Sequence, residues 1–154
     1  MGIKVSFKEP DLRDTARRVG RALVATMKRS ITQKKSLSGA PAAPNAPATV
    51  RRKGKDHRMM DTGHYYRRAL TVSARKKGLL IDLNTAKHPS GPTYEEIGEF
   101  NQLGHPNENK RSANHEHFGV TELDAKWALD QFEAELWGQL EKGIKITGQI
   151  KMVL

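Results

Sequence analysis

Leu70-Thr-Val-Ser-Ala-Arg-Lys-Lys-Gly-Leu-Leu-Ile-Asp-Leu83 decides the fold class. Leu70, Val72 and Ala74 alternate with Thr71, Ser73 and Arg75. After Lys76-Lys77-Gly78, Leu79, Ile81 and Leu83 alternate with Leu80 and Asp82. A period of two sends one set of side chains to a buried face and the other to water. Two such runs around a short Gly-containing turn predict an antiparallel hairpin.

Helical patterns flank this hairpin. Upstream, Leu12, Ala16, Val19, Leu23 and Met27 recur at steps of three and four, one apolar stripe of a helix over 11–33. Asp11 is placed to cap its first N–H groups, and Asp14 adds an acid to the positive first turn. Arg13, Arg17, Arg21 and Lys28 share another face, with Arg18 and Arg29 beside them. Downstream, Thr93 and Glu96 form a capping-box pattern for a short helix with Tyr94, Ile97 and Phe100 inward. Thr121 and Asp124 resemble a second capping pair, opening a helix over 121–142 that stops at Gly143. That helix carries both tryptophans, Trp127 and Trp137, and is expected to supply the bulkiest core side chains.

The ends read as strands. Residues 3–7 alternate, and Ile144, Ile146, Ile150, Met152 and Leu154 fall on even positions. The expected architecture is α+β. A small antiparallel sheet from 70–83 and 144–153, with 3–7 as a further strand, is packed by two main helices. The 144–153 strand is expected to join the hairpin or to extend a neighbour's sheet edge.

The chain has 154 residues, which suits a single domain over 1–154 with one modest core. It has no Cys, which removes disulfides, Cys-based zinc sites and thiol catalysis. No apolar run approaches the roughly 20 residues that cross a bilayer, and the first residues lack a hydrophobic stretch of signal-peptide length. A protein without membrane association, made and used without export, is the expectation.

The net charge of +10 is unevenly spread. Residues 1–77 hold 20 Lys+Arg against 5 Asp+Glu, and residues 78–154 hold 7 against 12. One end is therefore basic and the other acidic. Such polarity suits binding to nucleic-acid phosphates, or head-to-tail association of copies in a ring.

Residues 34–58 read as an extended proline-rich basic arm. Pro41, Pro44 and Pro47 are expected to prevent a helix there. Arg51, Arg52, Lys53, Lys55 and Arg58 are the candidates for reaching a neighbouring subunit or a DNA channel. No aromatic residue interrupts the run 51–55, so it lacks a base-stacking platform. A loop of about 25 residues is long for a compact domain and is expected to order on assembly.

Asp61-Thr62-Gly63 matches the catalytic triplet of aspartic proteases in letters only. Those enzymes need two carboxylates sharing a proton, and this chain has one such triplet, after a basic loop. A turn or helix cap is the better reading, with Gly63 supplying an unusual φ. Residues 101–118 read as a second exposed loop holding His105, His115 and His117. His115 and His117 would share a strand face, but no third ligand stands at a diagnostic spacing, so no metal is expected. No nucleophile–base–orienter set can be assembled either, so no catalytic residue and no cofactor are expected.

From about Leu37 to Gly143 the order of motifs resembles the small neck and tail-completion proteins of tailed bacteriophages, the tail-component or virion-morphogenesis type. Those proteins run helix, proline-containing loop, Thr-x-x-Arg-Lys-Gly, then Leu-x-Asp-Thr-Gly-x-Leu before a hairpin. The matching residues are Pro44 and Pro47, Thr49, Arg52-Lys53-Gly54, and Met60-Asp61-Thr62-Gly63-His64-Tyr65. Tyr94, Ile97, Glu99, Phe100 and Gly104 resemble the family's Tyr-x-x-Ile-x-Glu-Phe-Gly-like segment, and 121–142 its last helix. Two departures stand out. Met59-Met60 replaces the usual Pro-Leu. Residues 111–119, from Arg111 to Phe118-Gly119, replace an Ile-Pro-Ala-Arg-Pro-Phe-like motif.

The resemblance implies a structural virion protein at the head–tail junction, assembled in the host cytoplasm. It implies a homo-oligomeric, often hexameric ring that adjoins connector, tail-terminator or tail-tube proteins. The ring would line the DNA passage, with at most nonspecific contact to the genome, and would have no enzymatic activity. Thr49, Gly54, Asp61, Thr62 and Gly63 would be its structural motif residues. Tyr65, Tyr66 and Phe118 are candidates for interface contacts or for the core. A small basic nucleic-acid-binding protein is the alternative expectation.

Overall fold

The hairpin forms as the alternation predicts. In the computed structural model, β2 (Leu70–Arg75) pairs antiparallel with β3 (Gly78–Leu83), in register from Leu70↔Leu83 to Arg75↔Gly78. Leu70, Val72, Ala74, Leu79, Ile81 and Leu83 lie on its half-buried face, while Thr71, Ser73, Leu80 and Asp82 face water. The structure describes residues 4–6, 8–42, 44–45, 47–54, 63–103 and 118–147.

α1 (Arg13–Thr32) lies on the half-buried face of the hairpin. Ala16, Val19, Leu23 and Met27 of the predicted stripe are buried, Ile31 extends it by one turn, and Leu12 is half-buried just before the helix. Full burial of such an aliphatic side chain contributes about 1.5–3 kcal/mol relative to exposure, so this stripe is the main fastening of helix to sheet. The approach is close at Gly20, where an added Cβ would come within 2.5 Å of Val72 Cγ1 and 2.9 Å of Leu79 Cδ1. Asp11 accepts the Arg13 N–H at 3.1 Å, one residue out of step with Leu12, the residue that precedes the helix. Gln33 ends α1.

α3 (His64–Arg68) and α4 (Tyr94–Leu103) close the far end of the core. Tyr65, Ala69, Ile31 and Tyr94 form a buried cluster against which Tyr66, Leu83 and Ile97 pack. The capping box at α4 forms in both directions. Glu96 Oε2 accepts the Thr93 N–H at 2.7 Å, and Thr93 Oγ1 accepts the Glu96 N–H at 3.1 Å. At α5 (Glu122–Gly143), Thr121 Oγ1 accepts the Asp124 N–H at 3.1 Å and donates to the Asp124 carboxylate at 2.7 Å.

The structure differs from the sequence reading in four places. The C-terminal strand does not join the hairpin: β4 (Lys145–Thr147) pairs antiparallel with β1 (Lys4–Ser6), and the two sheets are separate. The cause is position. The last turns of α5 lie beside the start of α1, where Gln139 bonds Asp11, so the strand edge within reach belongs to β1. Residues 148–153 of the expected strand lie outside the described residues.

Pro47 does not prevent a helix but opens one, α2 (Pro47–Lys53). Proline suits the first helical position because its missing N–H would have no partner there. α4 continues to Leu103, so residues 101–103 of the expected loop are helical, and 104–117 lie outside the described residues.

The fourth difference is the largest. α5 buries no residue fully, and Leu123, Trp127, Leu129 and Trp137 are exposed. α1 already covers the apolar face of the hairpin, and among the described elements α5 packs chiefly on the flank of α1. Phe132, Leu136 and Leu140 are half-buried, and the tryptophans lie on the other side of the helix.

Candidate functional site

Two chemically opposite helix faces are the main surface features. The first is the outer side of α1. With the buried stripe turned to the hairpin, Arg17, Arg18, Arg21, Ala25 and Arg29 are exposed and follow one another at steps of one to four residues. Arg17 Nη1 pairs with Asp14 Oδ1 at 2.7 Å, and the Arg13 guanidinium pairs with Asp11. Arg18, Arg21 and Arg29 have no acidic partner among the described residues. Ala25 leaves a shallow apolar step between Arg21 and Arg29.

The second basic element is α2. Arg51 and Arg52 are exposed in its last turn, and Lys53 is half-buried. Thr49 lies within the helix. Gly54 ends it with φ +67 and donates its N–H to Val50 O at 2.8 Å, a left-handed stop that glycine makes without strain. Lys55, Arg58, Asp61 and Thr62 lie outside the described residues. Gly63 precedes α3 with φ +73, the unusual φ expected of it.

The three aromatic candidates separate. Tyr65 is 5% exposed and belongs to the core, so it cannot serve as a surface contact. Burial pushes its phenol well above the usual tyrosine range. Tyr66 is half-buried with the Lys28 ammonium 5.5 Å from its ring centroid, a cation–π contact. Phe118 is half-buried and lines an open groove with Leu37, Val120 and Leu123 at the start of α5.

The outer face of α5 is a surface where the sequence pattern predicts core. Leu123 is 78% exposed, Trp127 39% and Trp137 58%. Between and beside them stand Asp130, Glu133, Ala134 and Glu141, all exposed. Residues 123, 127, 130, 134, 137 and 141 step by four and three, so they form one continuous strip. Over its length α5 carries six acidic residues against two lysines. The clue in the sequence was those acids, interleaved with the tryptophans on one face.

His64 and His88 stand edge-on with ring centroids 5.8 Å apart, and His88 meets Tyr94 at 5.3 Å. His88 Nδ1 also accepts the Ser90 N–H at 3.1 Å. These contacts fix the loop before α4. Among the described residues no group of three or more His, Asp or Glu is placed to hold a metal, and no helix is long and apolar enough to cross a membrane. His105, His115 and His117 lie outside the described residues, as does Arg111.

No protein-family model matches the chain, and no curated protein and no solved structure matches it either.

Proposed function

We propose that this chain is a structural protein of the tailed-phage neck, a tail-completion or head–tail connector component that assembles into a ring. One observation carries the reading beyond the motif order. A single fold presents an arginine face on α1 and an acidic, tryptophan-bearing face on α5. Faces of opposite charge on one body favour heterologous contacts, and heterologous contacts that close make rings. Arg51 and Arg52, exposed on α2, would reach a neighbouring subunit or the genome in the channel. The role is assembly, not catalysis.

The test is genetic. Deleting the gene from the phage that encodes it is expected to leave full heads and unattached tails in the lysate. Joined, plaque-forming particles from the deletion would overturn the reading. Arg18, Arg21 and Arg29, which have no acidic partner among the described residues, also suit phosphates, so a nucleic-acid-binding role is the second reading. It requires DNA binding by the monomer that weakens steeply with salt.

A further inference from the structure

We infer that the outer face of α5 is covered by the arginine face of α1 from a second copy of this chain. The inference deepens the ring reading and rests on its self-association. The fold already pairs these two helices once. Within the chain α5 packs along α1, and Gln139 grips the Asp11 backbone. Each helix then keeps one face toward solvent, acidic and aromatic on α5, basic on α1. Docking one on the other repeats the pair between copies, so helices would alternate α1, α5, α1, α5 around the assembly.

Charge selects the occupant. Two α5 faces meeting each other would oppose Asp130, Glu133 and Glu141 with their own copies, an arrangement of like charges that costs affinity. The α1 face offers Arg18, Arg21 and Arg29 instead. Dimensions agree as well. α1 has 20 residues and α5 has 22. At 1.5 Å per residue, Trp127 and Trp137 are about 15 Å apart along their axis, and Arg18 and Arg29 about 16 Å along theirs. An indole over Ala25, flanked by guanidinium groups, combines apolar contact with cation–π attraction. Tryptophan and arginine are also the residue types that dominate interface energetics.

Both tryptophans of the chain lie on this face, so the whole tryptophan emission reports on it. At low salt the wild-type protein is expected to assemble, with emission shifting to the blue as concentration rises. Trp127→Ala/Trp137→Ala and Arg18→Glu/Arg21→Glu are each expected to remain monomeric. All four positions lie outside the core, and circular dichroism checks folding. A loss of self-association of tenfold or more is expected for each.

The decisive step is to mix the two variants. The tryptophan variant keeps its basic face and the arginine variant keeps its α5 face. A head-to-tail contact therefore gives a 1:1 heterodimer and nothing larger. A mixture that stays monomeric while the wild type assembles would overturn the inference and leave the ring reading standing on other surfaces. Assembly of the tryptophan variant alone would do the same. A wild type that is monomeric at every concentration would overturn it too: blue emission would mean that the chain covers the face itself, and red emission that nothing does. The deletion phenotype then decides the neck reading separately.

Discussion

Gln139 on α5 clasps the backbone of Asp11, 128 residues away, from both sides. Its Oε1 accepts the Asp11 N–H at 2.7 Å, and its Nε2 donates to the Asp11 carbonyl at 2.9 Å. Nε2 also donates to Glu135 Oε1 at 2.7 Å, which holds the amide in place. This is the polar fastening between the last helix and the start of the first. Gln139→Ala is expected to lower stability by about 1–2 kcal/mol, since two part-buried backbone groups lose their partner. Urea unfolding measures it. An unchanged midpoint would show that the clasp does not form in solution.

At Gly20 the backbone of α1 comes close to the hairpin side chains. Alanine normally gains about 1 kcal/mol over glycine inside a helix. Here its Cβ would lie 2.5 Å from Val72 Cγ1, on a β-branched side chain that cannot rotate away freely. Gly20→Ala is therefore expected to destabilise by about 1–3 kcal/mol. A raised thermal midpoint would show that α1 stands further from the sheet.

Gly63 precedes α3 with φ +73. Its space is open enough, since the nearest atoms to an added Cβ are those of the Arg67 guanidinium, at 3.4 Å and beyond. The cost of a side chain is thus conformational. Gly63→Ala is expected to lose about 1–2 kcal/mol and Gly63→Asn less, because asparagine enters the left-handed region more readily. Equal losses for the two variants would point to crowding instead.

Acid should loosen the start of α1. Hydrogen bonds from Lys76 and Lys77 hold the Glu9 carboxyl below its ordinary value of 4.5, with Lys76 Nζ at 2.6 Å and Lys77 Nζ at 3.2 Å. Arg13 lowers Asp11 from 3.8 to about 2. Both folded-state values lie below the unfolded ones. Their stabilisation is thus present above the unfolded values and lost as pH falls through the folded ones. Between pH 6 and 5 the wild type is expected to be more stable than Glu9→Gln/Asp11→Asn, and the gap to close as pH falls from about 4.5 toward 2. Both pairs are exposed, so salt should shrink the gap. A gap that persists at low pH would assign the effect to something other than ionisation.

The elements with one apolar face were legible in the sequence. The α1 stripe, the hairpin alternation and the Thr93–Glu96 box each follow from local periodicity or capping, and each forms where expected. What failed depends on competition between elements. α5 has apolar residues on two sides, and sequence cannot show that α1 has already taken the hairpin face. The partner of β4 follows from where α5 ends in space. Pro47 reads as a breaker in the sequence, although proline is also at home in the first turn of a helix. Of the candidate site, the basic face of α1 was visible as a charge pattern. The tryptophan face was not, because tryptophan ordinarily marks a core.

The most direct measurement is the mass of the purified full chain by light scattering, first at low salt and then at about 1 M, where the Debye length falls to about 3 Å. The expected result is a multiple of the 17.2 kDa chain mass at low salt that falls toward 17.2 kDa at high salt. A mass of 17.2 kDa at low salt, held up to high protein concentration, would contradict self-assembly through complementary faces.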